Sequence, residues 1–376
     1  MKPLEQLTIL DLSRVLACPF ATMILAELGA RVIKVEQPGS GDETRAFEPQ
    51  LARDSAYFFA CNRSKESITL NLKHDADRRV VRQLAGKADV LLENFPVGTL
   101  GRYGLDYAVL SSLNPKLIYV SCTGFGQTGP YAQKKGYDTV FQAMGGLMSL
   151  TGERGGGPVK PGLPVADLTS GLWIAIAILA SVAGRTRTGK GCYIDFSMLD
   201  GQVALLTLAA ARYFALGEVP PRLGTEHPGR VPSATFRCRD GKYAHVTASD
   251  QHWMPLCKAL GLEQWGSAFA SNSVRIERRA EVMRALTEAI TGLDRGELLK
   301  RLDAADVPVG PVNDVAEILS DAHVRARGLV GSFDYPGVGE FKALGLPYKF
   351  LGWDNPRIGR PPALGEHTEK ILAELK

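Results

Sequence analysis

The sequence predicts an α/β protein, with a large domain built on a mostly parallel sheet and a smaller α+β domain after it. Three observations carry that prediction. Short apolar strand-like runs alternate with helical stripes between residues 7 and 216, the pattern of strands joined by crossover helices. After Pro220-Pro221 the texture changes to a hairpin followed by helices. At 376 residues the chain is long enough for about two domains.

Leu7–Leu12 reads as the first strand and Pro19–Leu28 as a helix closed by Gly29, after which Val32–Val35 starts a second strand. Ala88–Leu92 and Leu117–Ser121 are further strands. Leu172–Ala183 reads as a helix apolar all round, Tyr193–Ser197 as a strand, and Leu199–Leu216 as one long apolar helix. Phe236–Val246 reads as a hairpin turning at Asp240-Gly241. Helical patterns follow at Trp253–Leu260, Glu277–Thr291 and Arg295–Ala304, and a strand-like tail at Phe333–Phe341. The expected domains are 1–224, completed by 326–376, and 225–325.

With 45% hydrophobic and 22% charged residues the composition is that of a globular protein. A formal charge of +4 gives no global pull toward nucleic acid or an anionic membrane. The six cysteines form no Cys-x-x-Cys pair and have no zinc-site spacing, so a reducing cytosol and no metal are expected. The longest apolar run, Gly171–Gly184, is shorter than the roughly 20 residues of a membrane span, so a buried helix is expected there.

Gly124-Phe-Gly-Gln-Thr-Gly129 satisfies a dinucleotide-binding pattern, but Pro130 follows it, no apolar helix opens there, and the distal acid is missing. A glycine loop that turns or lets backbone approach a ligand fits better. Asp167 opens the long apolar helix and admits two readings. It is an acidic residue serving the helix N-terminus, or a carboxylate kept ionised there by dipole and amides, fit to attack a carbonyl carbon. Periodicity does not choose between them. Arg14, Lys34, Arg45, Lys73, Arg102, Lys134 and Lys135 stand near loops, where cations hold either water or phosphates.

Ordered segments across nearly the whole chain resemble the class III coenzyme A transferases, relatives of formyl-CoA transferase and carnitine CoA-transferase. They are Asp11–Val15, Ala30–Glu36, Gly39–Asp42, Ser67–Lys73, Glu93–Phe95, Gly124–Gly126, Gly136–Asp138, Ala166-Asp167, Gly189–Asp195 and Leu364–Thr368. The resemblance implies a Rossmann-like large domain and an interlocked homodimer. It implies acyl-CoA and a small carboxylic acid as substrates, with no prosthetic group. It places covalent catalysis on Asp167. Val15, Leu70, Lys73, Asn94, Phe95, Arg102 and Lys135 fall on positions that line the coenzyme A site. Glu36-Gln37-Pro38 lacks the arginine that some members set over adenine. Thr225–Ser233 has one glycine where some members have a glycine run.

Gly124, Gly126, Tyr137, His227 and Arg230 are expected near the acyl group, and Arg230 suits a second carboxylate, which hints at succinyl-CoA and dicarboxylic acids. A related reaction, racemisation of α-methylacyl-CoA, uses a histidine directly before the aspartate of Gly-x-Asp. Tyr137 stands there instead, and its ordinary pKa near 10 suits proton shuttling poorly. A non-catalytic nucleotide-binding module is the more distant alternative.

Overall fold

The computed structural model describes residues 1–376. The chain forms two compact units. One comprises Met1–Met148, Lys160–Glu218 and Ala322–Lys376, the other Ser149–Val159 and Val219–Asp321.

The first unit is built on six parallel strands. They are β1 (Thr8–Asp11), β2 (Arg31–Glu36), β3 (Glu66–Thr69), β4 (Val90–Glu93), β5 (Ile118–Thr123) and β6 (Tyr193–Ser197). Their spatial order is β3-β2-β1-β4-β5-β6, and every adjacent pair is parallel. The order reverses direction between β1 and β4. In open parallel sheets ligands bind at such a point, outside the carboxyl ends of the strands.

Alternate strand residues feed opposite faces of the sheet. Ile9, Val90, Leu92, Ile118 and Val120 pack on one side with α1 (Ala17–Glu27) and with Ile174 and Ile178 of α4 (Val165–Thr188). Leu10, Ile33, Leu91 and Tyr119 pack on the other with Val81 and Leu84 of α2 (Asp75–Lys87) and Ile371 of α7 (Thr368–Ala373). Helix α4 meets α1 closely. A Cβ on Gly171 would sit 2.7 Å from the Ala17 carbonyl oxygen and 2.9 Å from the Phe20 ring. Only glycine allows that crossing.

Three expectations change, and one strand was not foreseen. Helix α4 runs 24 residues, long and apolar enough to cross a membrane by length and composition. It is not buried all round: Leu172 and Ile176 are 44% and 56% exposed while the opposite face enters the core. The helix expected over Leu199–Leu216 breaks at Leu205-Leu206 into α5 (Met198–Ala204) and α6 (Thr207–Leu216). The tail strand is a hairpin, β10 (Val330–Tyr335) with β11 (Gly339–Leu344), turned by Pro336 and by Gly337 at φ +78°. Finally β3, an edge strand four residues long, carried no clear apolar pattern in the sequence.

The second unit holds an antiparallel sheet of β7 (Ser233–Arg237), β8 (Tyr243–Thr247) and β9 (Val309–Pro311), with the hairpin turn at Gly241 as expected. Its core gathers Phe236, Val246, Trp253, Leu256, Leu286, Ile290 and Leu298.

Candidate active site

Two parts of the first unit carry chemistry, a cavity at the switch point of the sheet and the start of α4. The cavity, about 320 Å³, is lined by Leu12–Arg14 after β1, by Lys34–Gln37 at the end of β2, and by Gly41 and Asp42. Leu70–Lys73 after β3 and Phe95, Pro96, Thr99 and Tyr103 after β4 complete it.

Buried charge fixes its rim. The Lys34 ammonium, wholly buried, donates to the Ser13 carbonyl at 2.9 Å and pairs with Asp42 at 2.8 Å. Asp42 accepts from the Val15 amide at 3.3 Å and the Thr44 amide at 2.9 Å. Asp11 accepts from Ser13, Thr22 and the buried Lys65 ammonium. Burial alone would raise its pKa, but Lys65 and Lys34 hold it well below the usual carboxylate range. Val15 sits at φ +71°, in the left-handed region that a β-branched residue enters only under constraint. The carboxyl of Glu93 accepts from the Phe95 amide at 2.8 Å, and burial pushes its pKa up to about 7.

The expected coenzyme A residues separate on this map. Leu70, Lys73 and Phe95 line the cavity. Val15 and Asn94 support its wall from behind: the Asn94 side chain donates to the Arg14 carbonyl at 2.8 Å and accepts from the Arg14 amide at 3.0 Å. Arg102 ends a short helix and donates to Thr99 at 3.3 Å, and the exposed Lys135 lies in the loop before Tyr137. Neither reaches the cavity wall.

Helix α4 begins after Pro164, which has no side chain able to cap it, and α4 has no cap of its own. The cap comes from α3 (Asp138–Met144). Asp138 Oδ1 accepts from the amides of Ala166 at 2.8 Å and Asp167 at 3.3 Å, while its Oδ2 accepts from Gln142 Nε2 at 2.6 Å. The expectation that amides keep Asp167 ionised is therefore overturned, because Asp138 occupies them. The Asp167 carboxylate, half-buried, is left without donor or cation. Burial first, and then repulsion from Asp138, push its pKa from 3.8 up to about 7.

The loops around this helix start are locked by one ring. Cβ atoms on Gly124 and Gly136 would fall 2.6 Å and 2.5 Å from Phe141. Gly126, at φ +82°, faces Ser197 and Asp195, and the Gln127 amide donates to Asp195 at 3.1 Å. Tyr137 precedes α3 and is 81% exposed. His227 and Arg230 belong to the second unit, where Arg279 pins their segment through Glu226 and the carbonyls of His227 and Pro228.

Sequence reasoning missed the capping role of Asp138, the support from Gln142, and the pinning of the rim by Lys34 and Asp42. An aspartate at the start of a short helix reads as serving its own helix. Nothing linear signals that it caps one 28 positions later.

The chain matches CoA-transferase family III over residues 4–368. It is 40% identical over 378 residues to the succinyl-CoA:glutarate CoA-transferase of Mus musculus, a match covering 100% of this chain and 87% of that protein. It is 39% identical over 384 residues to the succinate–glutarate CoA-transferase of Agrobacterium fabrum, covering 100% and 96%. A crystal structure of a CAIB/BAIF family protein from Brucella suis has a TM-score of 0.90 to it, with 41% identity and 100% of both chains covered. With the parallel sheet, the cavity at its switch point and these matches in hand, the chain belongs to CoA-transferase family III and is a CoA-transferase.

Proposed function

We propose that this CoA-transferase moves coenzyme A from succinyl-CoA to a small dicarboxylic acid through covalent intermediates on Asp167. The observation that carries the reading is a half-buried carboxylate deprived of donors at a helix start. Desolvation and an anionic neighbour make it more basic, and a more basic carboxylate is a better nucleophile. The names of the relatives in mouse and Agrobacterium support the choice of acids.

An Asp167 carboxylate oxygen attacks the thioester carbon, the C–S bond breaks, and the thiolate leaves behind a mixed anhydride. The thiolate then attacks Asp167 Cγ and releases the donor acid as its carboxylate, leaving an aspartyl thioester. The acceptor carboxylate attacks the same carbon and expels the thiolate. Attack of that thiolate on the acceptor acyl carbon makes the new acyl-CoA and restores Asp167. Each step exchanges one acyl bond for another, so the sequence needs neither metal nor prosthetic group. It does need water kept out, because both intermediates hydrolyse.

We also propose a cytoplasmic homodimer. Helix α6 has no buried residue, and Leu208 and Phe214 on it are 84% and 82% exposed, an apolar surface that a second copy would cover. Sedimentation should give a dimer, and a monomer at micromolar concentration would exclude it.

The central test is a screen of acyl-CoA donors against carboxylic acids, read by mass spectrometry, with hydroxylamine trapping after donor is added. The expected product is a hydroxamate on Asp167 and none in Asp167→Ala. Turnover with Asp167 never modified would end the covalent reading. Exchange of an α-proton without transfer of coenzyme A would replace it with racemisation.

A further inference from the structure

Arg14 is a polar side chain that the pinned loop after β1 delivers to the cavity. Its amide and carbonyl are both held by Asn94, the preceding carbonyl by Lys34, and the following amide by Asp42. Ser13, by contrast, turns its hydroxyl back to Asp11. The Arg14 guanidinium lies over the Phe95 ring, 5.0 Å from its centroid. One nitrogen, Nη1, reaches outward to the exposed Glu43 at 3.1 Å, a surface pair that contributes little. Nε is shielded from solvent and has no hydrogen-bond partner. A buried donor without a partner is costly and points to a group that completes it.

The other charges in the cavity wall are spoken for. Glu36 is held by Arg45 at 2.7 Å and Asp42 by Lys34. Lys73 stands exposed at the rim. Val35, Leu70 and Leu72 supply apolar wall on either side. An aromatic-backed guanidinium beside apolar walls, with a free cation at the rim, suits a flat base next to phosphates better than a phosphate alone.

We propose that Arg14, backed by Phe95, is the residue that holds the adenine ring of the coenzyme A substrate, in the place left without an arginine at Glu36-Gln37-Pro38. Arg14 stacks on the base and Nε donates to the nucleotide, while Lys73 meets a phosphate. This rests on the transferase reading, because it takes coenzyme A to be the ligand of the cavity.

The test is calorimetric titration of wild type, Arg14→Ala and Arg14→Lys with coenzyme A, adenosine 3′,5′-bisphosphate and pantetheine. Backbone pinning survives both substitutions, and equal thermal midpoints check it. Both variants should bind coenzyme A and the bisphosphate about tenfold more weakly, the range of a desolvated cation–π contact, with pantetheine unaffected. In turnover the loss should fall on KM for the donor rather than on kcat. Lysine fails to rescue because it keeps the charge and loses the plane. If Arg14→Lys binds as wild type does, charge alone matters and base stacking is wrong. If Arg14→Ala binds the bisphosphate normally, Arg14 has no part in the site. Wild type that binds no coenzyme A would instead overturn the transferase reading itself.

Discussion

Asp167 and Asp138 divide one helix start between them: Asp138 takes the amides and Asp167 is left basic. Removing the charge of Asp138 while keeping its acceptor oxygen should therefore lower the Asp167 pKa. The nucleophile must be ionised, so activity rises with pH through a limb near 7 in the wild type. Asp138→Asn should move that limb to lower pH, read from the pH profile of kcat/KM, and an unmoved limb would refute the coupling. The same raised pKa affects stability. Because the folded value exceeds the unfolded one, the folded state binds the proton more tightly. That contribution is complete below 3.8 and is lost as pH rises through about 7. Asp167→Asn should thus be inactive yet melt at a higher temperature than wild type at pH 8, with the gap narrowing at pH 5 and closing only below 3.8. The sequence offered Asp167 with its two readings. It did not offer the outcome, because the deciding partner lies on another helix.

At the level of elements, the crossing of α1 and α4 rests on Gly171, one turn beyond Asp167 on the same side of the helix. Gly171→Ala brings a methyl against a carbonyl oxygen and an amide of α1, backbone that cannot step aside. We expect a loss of about 1–3 kcal/mol, the range of core overpacking, by denaturant unfolding. The shift in α4 should also reduce activity more than the midpoint change explains. The periodic elements were legible: β1, α1, β2, β4, β5, β6 and the Gly241 hairpin all lie where apolar pattern and turn chemistry put them. The misses have physical causes. Between α5 and α6 the chain is apolar on both sides of the break, so periodicity has no edge to detect. At Pro336-Gly337 the turn signal was present and was passed over. Strand β3 pairs on one side only, and its order comes from β2 and from the distant α7.

For the whole molecule, alternation of strands and helices was enough to foresee the parallel sheet, and the order β3-β2-β1-β4-β5-β6 then places a cavity at its reversal. Leu70, Lys73, Phe95, Arg102 and Lys135 were all carried over from resemblance; the first three follow strand ends at that point and line the cavity, whereas Arg102 and Lys135 lie off its wall. That same order has a kinetic consequence. Strand β1 is made first but sits centrally, and it gains its second neighbour only when Val90–Glu93 exists. The outer side of β3 waits longer. The Thr69 amide donates to Thr368, and the His367 amide to the Ser67 carbonyl, contacts about 300 positions apart. Contacts so distant in sequence close late and slowly. A chain lacking Thr368–Lys376 should exchange the amides of Glu66–Thr69 much faster than the full chain, while those of β4 and β5 stay protected. Such a chain would carry an unsealed sheet edge through synthesis, the state in which parallel sheets are most prone to aggregate.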